Sequence, residues 1–267
     1  MERSETERVT QRRLCQSWLV VGILCFAAPF GHATTVVAFW ADSWIVLAID
    51  SLTTGANIKI TACKIDEVKD VIFVMDNLIS NSVNFDARSI AKETMLGSGS
   101  IEQRYDIFAK RIGAELPKVV ERLSQNNPEQ YKIWLRRKDY ILGVVFGAVE
   151  NEHPKIIIVR FFLNPNGQVT PERFDTTISP NEIRFYRAAS AMSISRDWIS
   201  QQVREHGPVI AAQTVIETGI ALDPDISGPP VSVVRVDAEG IHWLQPGLCK
   251  ALPDAKDQNA HKDGQQH

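Results

Sequence analysis

Thr34-Thr35-Val36-Val37-Ala38-Phe39-Trp40, Ala41-Asp42-Ser43 and Trp44-Ile45-Val46-Leu47-Ala48-Ile49-Asp50-Ser51 form the stretch on which the fold turns. Two runs rich in β-branched and aromatic residues flank a short polar turn, which predicts a β-hairpin. A hairpin returns the chain to the end it started from, so Thr34 and Asp50 should lie together. Downstream, Thr53-Thr54-Gly55-Ala56-Asn57 predicts a turn, residues 58–65 alternate with strand period, and Val71-Ile72-Phe73-Val74-Met75 reads as a buried strand.

What precedes Thr34 is not expected to belong to the fold. Arg12-Arg13 lead into the apolar run Trp18-Leu19-Val20-Val21-Gly22-Ile23-Leu24-Cys25-Phe26-Ala27-Ala28, then Pro29 and Gly31-His32-Ala33. A basic start, an apolar stretch short for a bilayer and small residues before a break predict a secretory signal peptide over residues 1–33. Cleavage after Ala33 removes 33 of the 267 residues, leaves 234 and makes Thr34 the first. An uncleaved membrane anchor and a buried first helix are the rival readings. Leu24 before Cys25 argues against lipidation, which wants a small residue there. The chain is thus expected in the periplasm or outside the cell, with signal peptidase as its maturation partner and no stable membrane anchor.

The remainder predicts helices near 79–95, 100–125 and 128–136, with Pro117 kinking or breaking the second. A β-meander follows at 140–149, 155–163 and 168–170, turning at Asn164-Pro165-Asn166-Gly167. Helices near 185–205 and 208–222 and a closing hairpin at 231–237 and 241–244 complete the pattern, and residues 250–267 read as a polar tail. Strands, helices, strands, helices, strands describe an α+β protein with one folded domain over 34–249.

Composition narrows the function. With 44% hydrophobic and 23% charged residues the chain is an ordinary globular one. Lys+Arg 29 against Asp+Glu 32 gives a formal charge of −3, too weak a field to gather nucleic acid or an anionic membrane. His153, His206 and His242 are scattered and there is no Cys-x-x-Cys pair, so no metal is expected. Without a glycine-rich phosphate loop, no cofactor is expected either. Cys63 and Cys249 lie beyond the signal peptide and could pair in an oxidising compartment.

Thr34-Thr35-Val36-Val37-Ala38, the Ile49-Asp50-Ser51 strand end followed by Thr53-Thr54-Gly55, and Lys64 together resemble the proteasome β-subunit pattern of N-terminal-nucleophile hydrolases. The resemblance continues at Ser227-Gly228-Pro229-Pro230-Val231 and at Gly240-Ile241-His242-Trp243-Leu244. It implies a four-layer αββα sandwich, a threonine nucleophile at the first residue of the mature chain, and hydrolysis of amide bonds in peptides or small amides. Homo-oligomers are compatible with it. The departures are specific: Lys64 comes about two residues early, Leu52 replaces the family's arginine, and bulky Met75-Asp76-Asn77-Leu78 stand where the family has small residues and a glycine. Asp225 lies two residues before Ser227 where three are expected, which leaves Asp223 a competitor.

The chemistry rationalises these residue types. An N-terminal threonine carries its own base, because a free α-amino group of ordinary pKa about 7.7–8.0 can take the hydroxyl proton directly or through water. Lys64 would favour the neutral amine and the developing alkoxide, and Asp50 would hold Lys64. Asp225, Ser227 and Ser190 are supporting candidates, and the backbone N–H groups of Asp76 and Asn77 are candidates for the oxyanion site. The contrasting expectation is a secreted, catalytically weak or inactive member that keeps the fold as a binding or assembly module. Gly97-Ser98-Gly99-Ser100 reads as a loop.

Overall fold

The computed structural model describes residues 34–55, 58–77, 80–81, 85–137 and 140–249. The expected signal peptide and polar tail lie outside the described residues. The first half contains strands β1 (Val36–Ala41), β2 (Trp44–Ile49), β3 (Leu52–Gly55), β4 (Ile58–Thr61), β5 (Ile65–Val68), β6 (Val71–Asn77), β7 (Ser80–Asn81) and β8 (Phe85–Asp86). Helices α1 (Ala87–Met95), α2 (Ile101–Asn126) and α3 (Pro128–Arg137) follow. The second half contains β9 (Tyr140–Glu150), β10 (His153–Leu163), β11 (Val169–Arg173), β12 (Arg184–Ala188), a 3-10 turn (Ala189–Ser193), α4 (Arg196–Leu222), β13 (Ser232–Asp237) and β14 (Gly240–Gln245).

The protein is α+β, as its pattern predicts. One five-stranded sheet has the order β12-β1-β2-β13-β14 and a second the order β11-β10-β9-β6-β5, with antiparallel neighbours throughout. Alternation along the strands divides the core into three clusters. Val36, Ala38, Leu47 and Ile49 of the first sheet meet Ile72, Val74, Val145 and Ile158 of the second in one of them. On the far side of the second sheet, Phe73, Phe146 and Phe161 pack on Phe108, Ile112 and Leu116 of α2. Val37, Phe39, Val46 and Val233 of the first sheet pack on Ile199, Ala212, Val215 and Ile216 of α4. The inner strands of both sheets are therefore buried on two faces, which explains the near-continuous apolar runs in their sequences.

The sheets are packed closely near the β1–β2 turn. A Cβ added at Gly147 of β9 would sit 3.2 Å from Ile72 Cγ1 and 3.6 Å from Ile45 Cδ1 in the other sheet. Thr34, Asp50 and Lys64 occupy the opposite end, where β1 begins, β2 stops and β5 begins.

Three helical expectations are corrected. Residues 80–81 and 85–86 are strand, and α1 starts only at Ala87, where Asp86 accepts from the N–H groups of Arg88 at 2.9 Å and Ser89 at 3.1 Å. Residues 184–188 form β12 instead of a helix, because this segment is the edge partner of β1: Phe185 packs toward α4 while Tyr186 packs between the sheets. Neighbours pointing to opposite apolar faces fit a strand, and the helix waits for its Ser195 cap. Finally, α2 runs unbroken through Pro117. An interior proline costs a helix about 3 kcal/mol, but Ile112, Leu116, Val119 and Val120 on either side of it are all buried, and that packing outweighs the loss. The expected break between residues 205 and 208 is present as a kink at Gly207, φ 77°, before Pro208. Among the described residues, no helix is long and apolar enough to cross a membrane.

Candidate functional site

Val36 of β1 pairs with Ile49 of β2, so Thr34-Thr35 and Asp50-Ser51 continue from the same end of the hairpin. Asp50 N–H donates to Thr35 O at 3.1 Å, and Thr35 N–H donates to Asp50 Oδ1 at 2.9 Å. Lys64 arrives from the approach to β5, in the other sheet, and its Nζ donates to the same Oδ1 at 2.9 Å. Oδ2 accepts from Leu52 N–H and Gly228 N–H, each at 3.1 Å. The Asp50 carboxylate thus receives four donors, as many as its lone pairs accommodate. It is fully buried, and Lys64 is 8% exposed.

Two charges withdrawn from water together oppose their own ionisation. Burial pushes the Asp50 carboxyl above its ordinary value, against the pull of Lys64 and of the backbone donors. Burial likewise pushes the Lys64 ammonium down, against the pull of Asp50. Lys64 is therefore more ready to release a proton than a surface lysine.

Around this pair, Thr35 and Ser227 are fully buried and their hydroxyls are hydrogen bonded to each other. Gly219 of α4 lies against Thr35 and Ser190: a Cβ there would come within 3.1 Å of Thr35 Cγ2 and 3.5 Å of Ser190 Cβ. Ser190 is brought in by the β1–β12 register, in which Val36 faces Ala188, so Ser190 lies two residues beyond that pair as Thr34 lies two before it. Ala189, between Ala188 and Ser190, has a φ of 50°. Ser190 is 5% exposed, and its Oγ has no hydrogen-bond partner among the described residues.

The structure thus gathers Thr34, Asp50, Lys64, Ser227 and Ser190 at one end of the sheets. It does not bring Asp225 there: that carboxylate is 87% exposed and pairs with Lys59 on β4 at 2.8 Å. Asp223 instead closes α4, and its carbonyl accepts from Ser227 N–H at 3.1 Å. Asp76 and Asn77 are the last two residues of β6, paired with Gly143 and Leu142, so that strand runs two residues further than its sequence predicts. The Asp76 carboxylate is buried and accepts from Tyr140 Oη at 2.6 Å. Nearby, the Arg160 guanidinium lies 4.3, 4.8 and 5.0 Å from the ring centres of Tyr140, Tyr186 and Phe174.

Several contributors escaped the sequence reading. Thr35 is the residue whose hydroxyl meets that of Ser227. Gly228 supplies a backbone donor to Asp50, and a Cβ on it would lie 3.0 Å from Leu52 Cβ, so Leu52 and Gly228 are a fitted pair. Gly143 leaves room for Asp76, whose carboxylate a side chain there would strike. Cys63 and Cys249 form a disulfide with Cα atoms 4.5 Å apart, realising the pairing that the sequence left open. At the distant β13–β14 turn, Asp237, Glu239 and His242 cluster within 4.8 Å. There, Asp237 accepts from Glu239 N–H at 3.1 Å, pairs with Arg235 at 2.7 Å and bonds His242 at 3.0 Å.

No family model matches the chain, and no curated protein gives a significant match.

Proposed function

We propose that the protein is an exported N-terminal-threonine hydrolase of amide bonds, with a four-layer αββα arrangement of its sheets and helices and with Thr34 uncovered by signal peptidase. The observation that carries this reading is the buried Lys64–Asp50 pair, 2.9 Å apart, at the residue that follows Thr34. A buried ion pair is weak as a stabilising device. Its placement between two sheets, beside a threonine that a signal cleavage would make terminal, gives it a chemical purpose. The Cys63–Cys249 disulfide supports export, since such bonds persist in oxidising compartments.

In this reading the free α-amino group of Thr34 takes the proton of its own hydroxyl. Oγ1 then attacks the substrate carbonyl, and the proton passes to the departing amine as the C–N bond breaks. Water hydrolyses the resulting ester and restores Thr34. Lys64 lies beside the developing alkoxide, and Asp50 fixes Lys64 while tying down the backbone of Thr35, Leu52 and Gly228. Ser190 Oγ, buried with spare hydrogen-bonding capacity, is suited to orient the α-amino group. Peptides, unfolded segments or small amides are the substrates that suit a compartment without ATP-driven unfolding.

The processed protein should form a single covalent adduct with a threonine-reactive electrophile, mapped to Thr34 by tandem mass spectrometry. Thr34→Ala and Lys64→Ala should give none. A processed wild type that gives no adduct supports the second reading, a binding or assembly module with the same fold. That reading is favoured by β6, whose ladder continues through Asp76 and Asn77 with a buried carboxylate bonded to Tyr140, in place of the small residues and glycine that the resemblance calls for.

A further inference from the structure

Lys64 and Asp50 meet across the gap between the two sheets, yet residues 62–64 belong to no strand. Ladder hydrogen bonds therefore do not fix Lys64 relative to Asp50. What borders it is a set of ties outside the ladders. Ala62 N–H donates to Ser51 O at 2.9 Å. Arg88 Nη2 donates to Cys63 O at 3.0 Å, while Arg88 and Lys92 both grip Asp66, two residues beyond Lys64. The covalent tie is Cys63–Cys249, adjacent to Lys64 and spanning 186 residues of sequence.

Cys249 belongs to the segment that leaves β14 in the sheet carrying Thr34 and Asp50. Its N–H donates to Pro246 O at 2.8 Å, and Ser232 Oγ at the start of β13 donates to the same carbonyl at 3.1 Å. Cys249 also packs against the cluster between the sheets. Trp243 Nε1 of β14 donates to Glu67 of β5 at 2.6 Å, so the two sheet edges already adjoin here. The disulfide thus fastens the backbone beside Lys64, which leads into one sheet, to the segment leaving the sheet whose end carries its partner carboxylate.

We propose that the Cys63–Cys249 disulfide is a positioning device for Lys64, so that the Lys64–Asp50 contact, and with it the competence of Thr34, depends on oxidation of this pair. The catalytic part of that statement rests on the function proposed above; the placement of Lys64 does not. Displacements of about 1 Å can cost 10²-fold in rate when they misalign a reacting group. Both cysteines are only half-buried, within reach of a small dithiol. Reduction delivers two electrons and two protons to the S–S bond, leaving two thiols and converting the dithiol to its own disulfide. In a reducing cytoplasm the chain would therefore hold neither a free Thr34 nor a placed Lys64, and export would supply both.

The test measures acylation of Lys64 by a water-soluble amine reagent, read by peptide mass spectrometry, in the processed protein. Oxidised, dithiol-reduced and reoxidised wild type are compared with the Cys63→Ser/Cys249→Ser protein. Exposed Lys118 is the internal reference, Thr34 adduct formation is followed over pH, and near-UV circular dichroism monitors packing. Reduction and the double substitution should raise the Lys64 rate at least tenfold relative to Lys118, slow Thr34 labelling at least tenfold and displace its pH midpoint. Near-UV signal should be retained, and reoxidation should restore the wild type alone. An unchanged Lys64 rate overturns the proposal, and so does general loss of the near-UV signal, which would make the bond a support of the whole fold. A changed Lys64 rate with no Thr34 adduct even in oxidised protein confirms the placement and overturns the hydrolase reading instead.

Discussion

Lys64 Nζ and Asp50 Oδ1 face each other at 2.9 Å from the ends of opposite sheets, one just before β5 and the other just after β2, with the side chains 6% and 0% exposed. Asp50 does more than hold Lys64, because it also accepts three backbone N–H groups, those of Thr35, Leu52 and Gly228. The two partners are therefore unequal. Asp50→Ala strands a buried ammonium and three backbone donors and should cost about 3–5 kcal/mol. Lys64→Met leaves the carboxylate with its backbone donors and should cost less, about 1–3 kcal/mol. Urea denaturation of the two variants should show this order, and both should lose Thr34 labelling. Equal costs would mean that the backbone contacts contribute little.

Ser227 and Ser190 should separate stability from chemistry. Ser227→Ala leaves the buried Thr35 hydroxyl without its partner, at a cost of about 1–3 kcal/mol. Ser190→Ala removes a hydroxyl that has no partner among the described residues, so it should be neutral or slightly stabilising. The same variant should still slow Thr34 labelling severalfold if that hydroxyl orients the α-amino group. Thermal melts and labelling rates check the pair together.

Gly228→Ala should destabilise by about 1–3 kcal/mol through overpacking, since its Cβ would lie 3.0 Å from Leu52 Cβ and 3.3 Å from Leu52 Cδ2. Leu52→Ala in the same chain should recover part of that loss by removing Cγ and Cδ2. A double-mutant cycle in denaturant measures the recovery. Strict additivity would show that Leu52 is not what Gly228 accommodates.

Acid stability should depend on Asp70. Two hydrogen bonds from the buried Arg104, at 2.9 and 2.7 Å, hold its carboxyl below the ordinary value. A depressed native value means stability that is present above the unfolded pKa of about 3.9 and lost as pH falls through the lower native one. Asp70→Asn should therefore cost about 1 kcal/mol at neutral pH, a modest figure because Asp70 is half-exposed. The difference from wild type should shrink below about pH 4. Denaturation midpoints between neutral pH and pH 3 read it directly.

The hairpin that joins Thr34 to Asp50 is legible in sequence because its two apolar runs are short, β-rich and separated by an unmistakable turn. The same local logic finds β6, β9, β10 and the closing β13–β14 pair. It fails at β12, where Phe185 and Tyr186 serve two different core clusters and a local pattern cannot reveal which face each one meets. It fails at Pro117 because the burial that carries α2 through a proline is tertiary. At the site, Asp50 is legible from the hairpin that returns it to Thr34, and Lys64 only through the resemblance, since its spacing departs from that pattern by about two residues. The Gly228 donor, the Thr35–Ser227 contact and the dismissal of Asp225 to the surface are not, since each depends on where the distant loop after α4 comes to rest.

The central claim is that cleavage before Thr34 creates the nucleophile, and the mature N-terminus tests it most directly. Intact-mass measurement and N-terminal peptide sequencing of the exported protein should find Thr34 as the first residue, with a free amino group. A start at Thr35, an acylated amine or an intact Met1 would contradict the account.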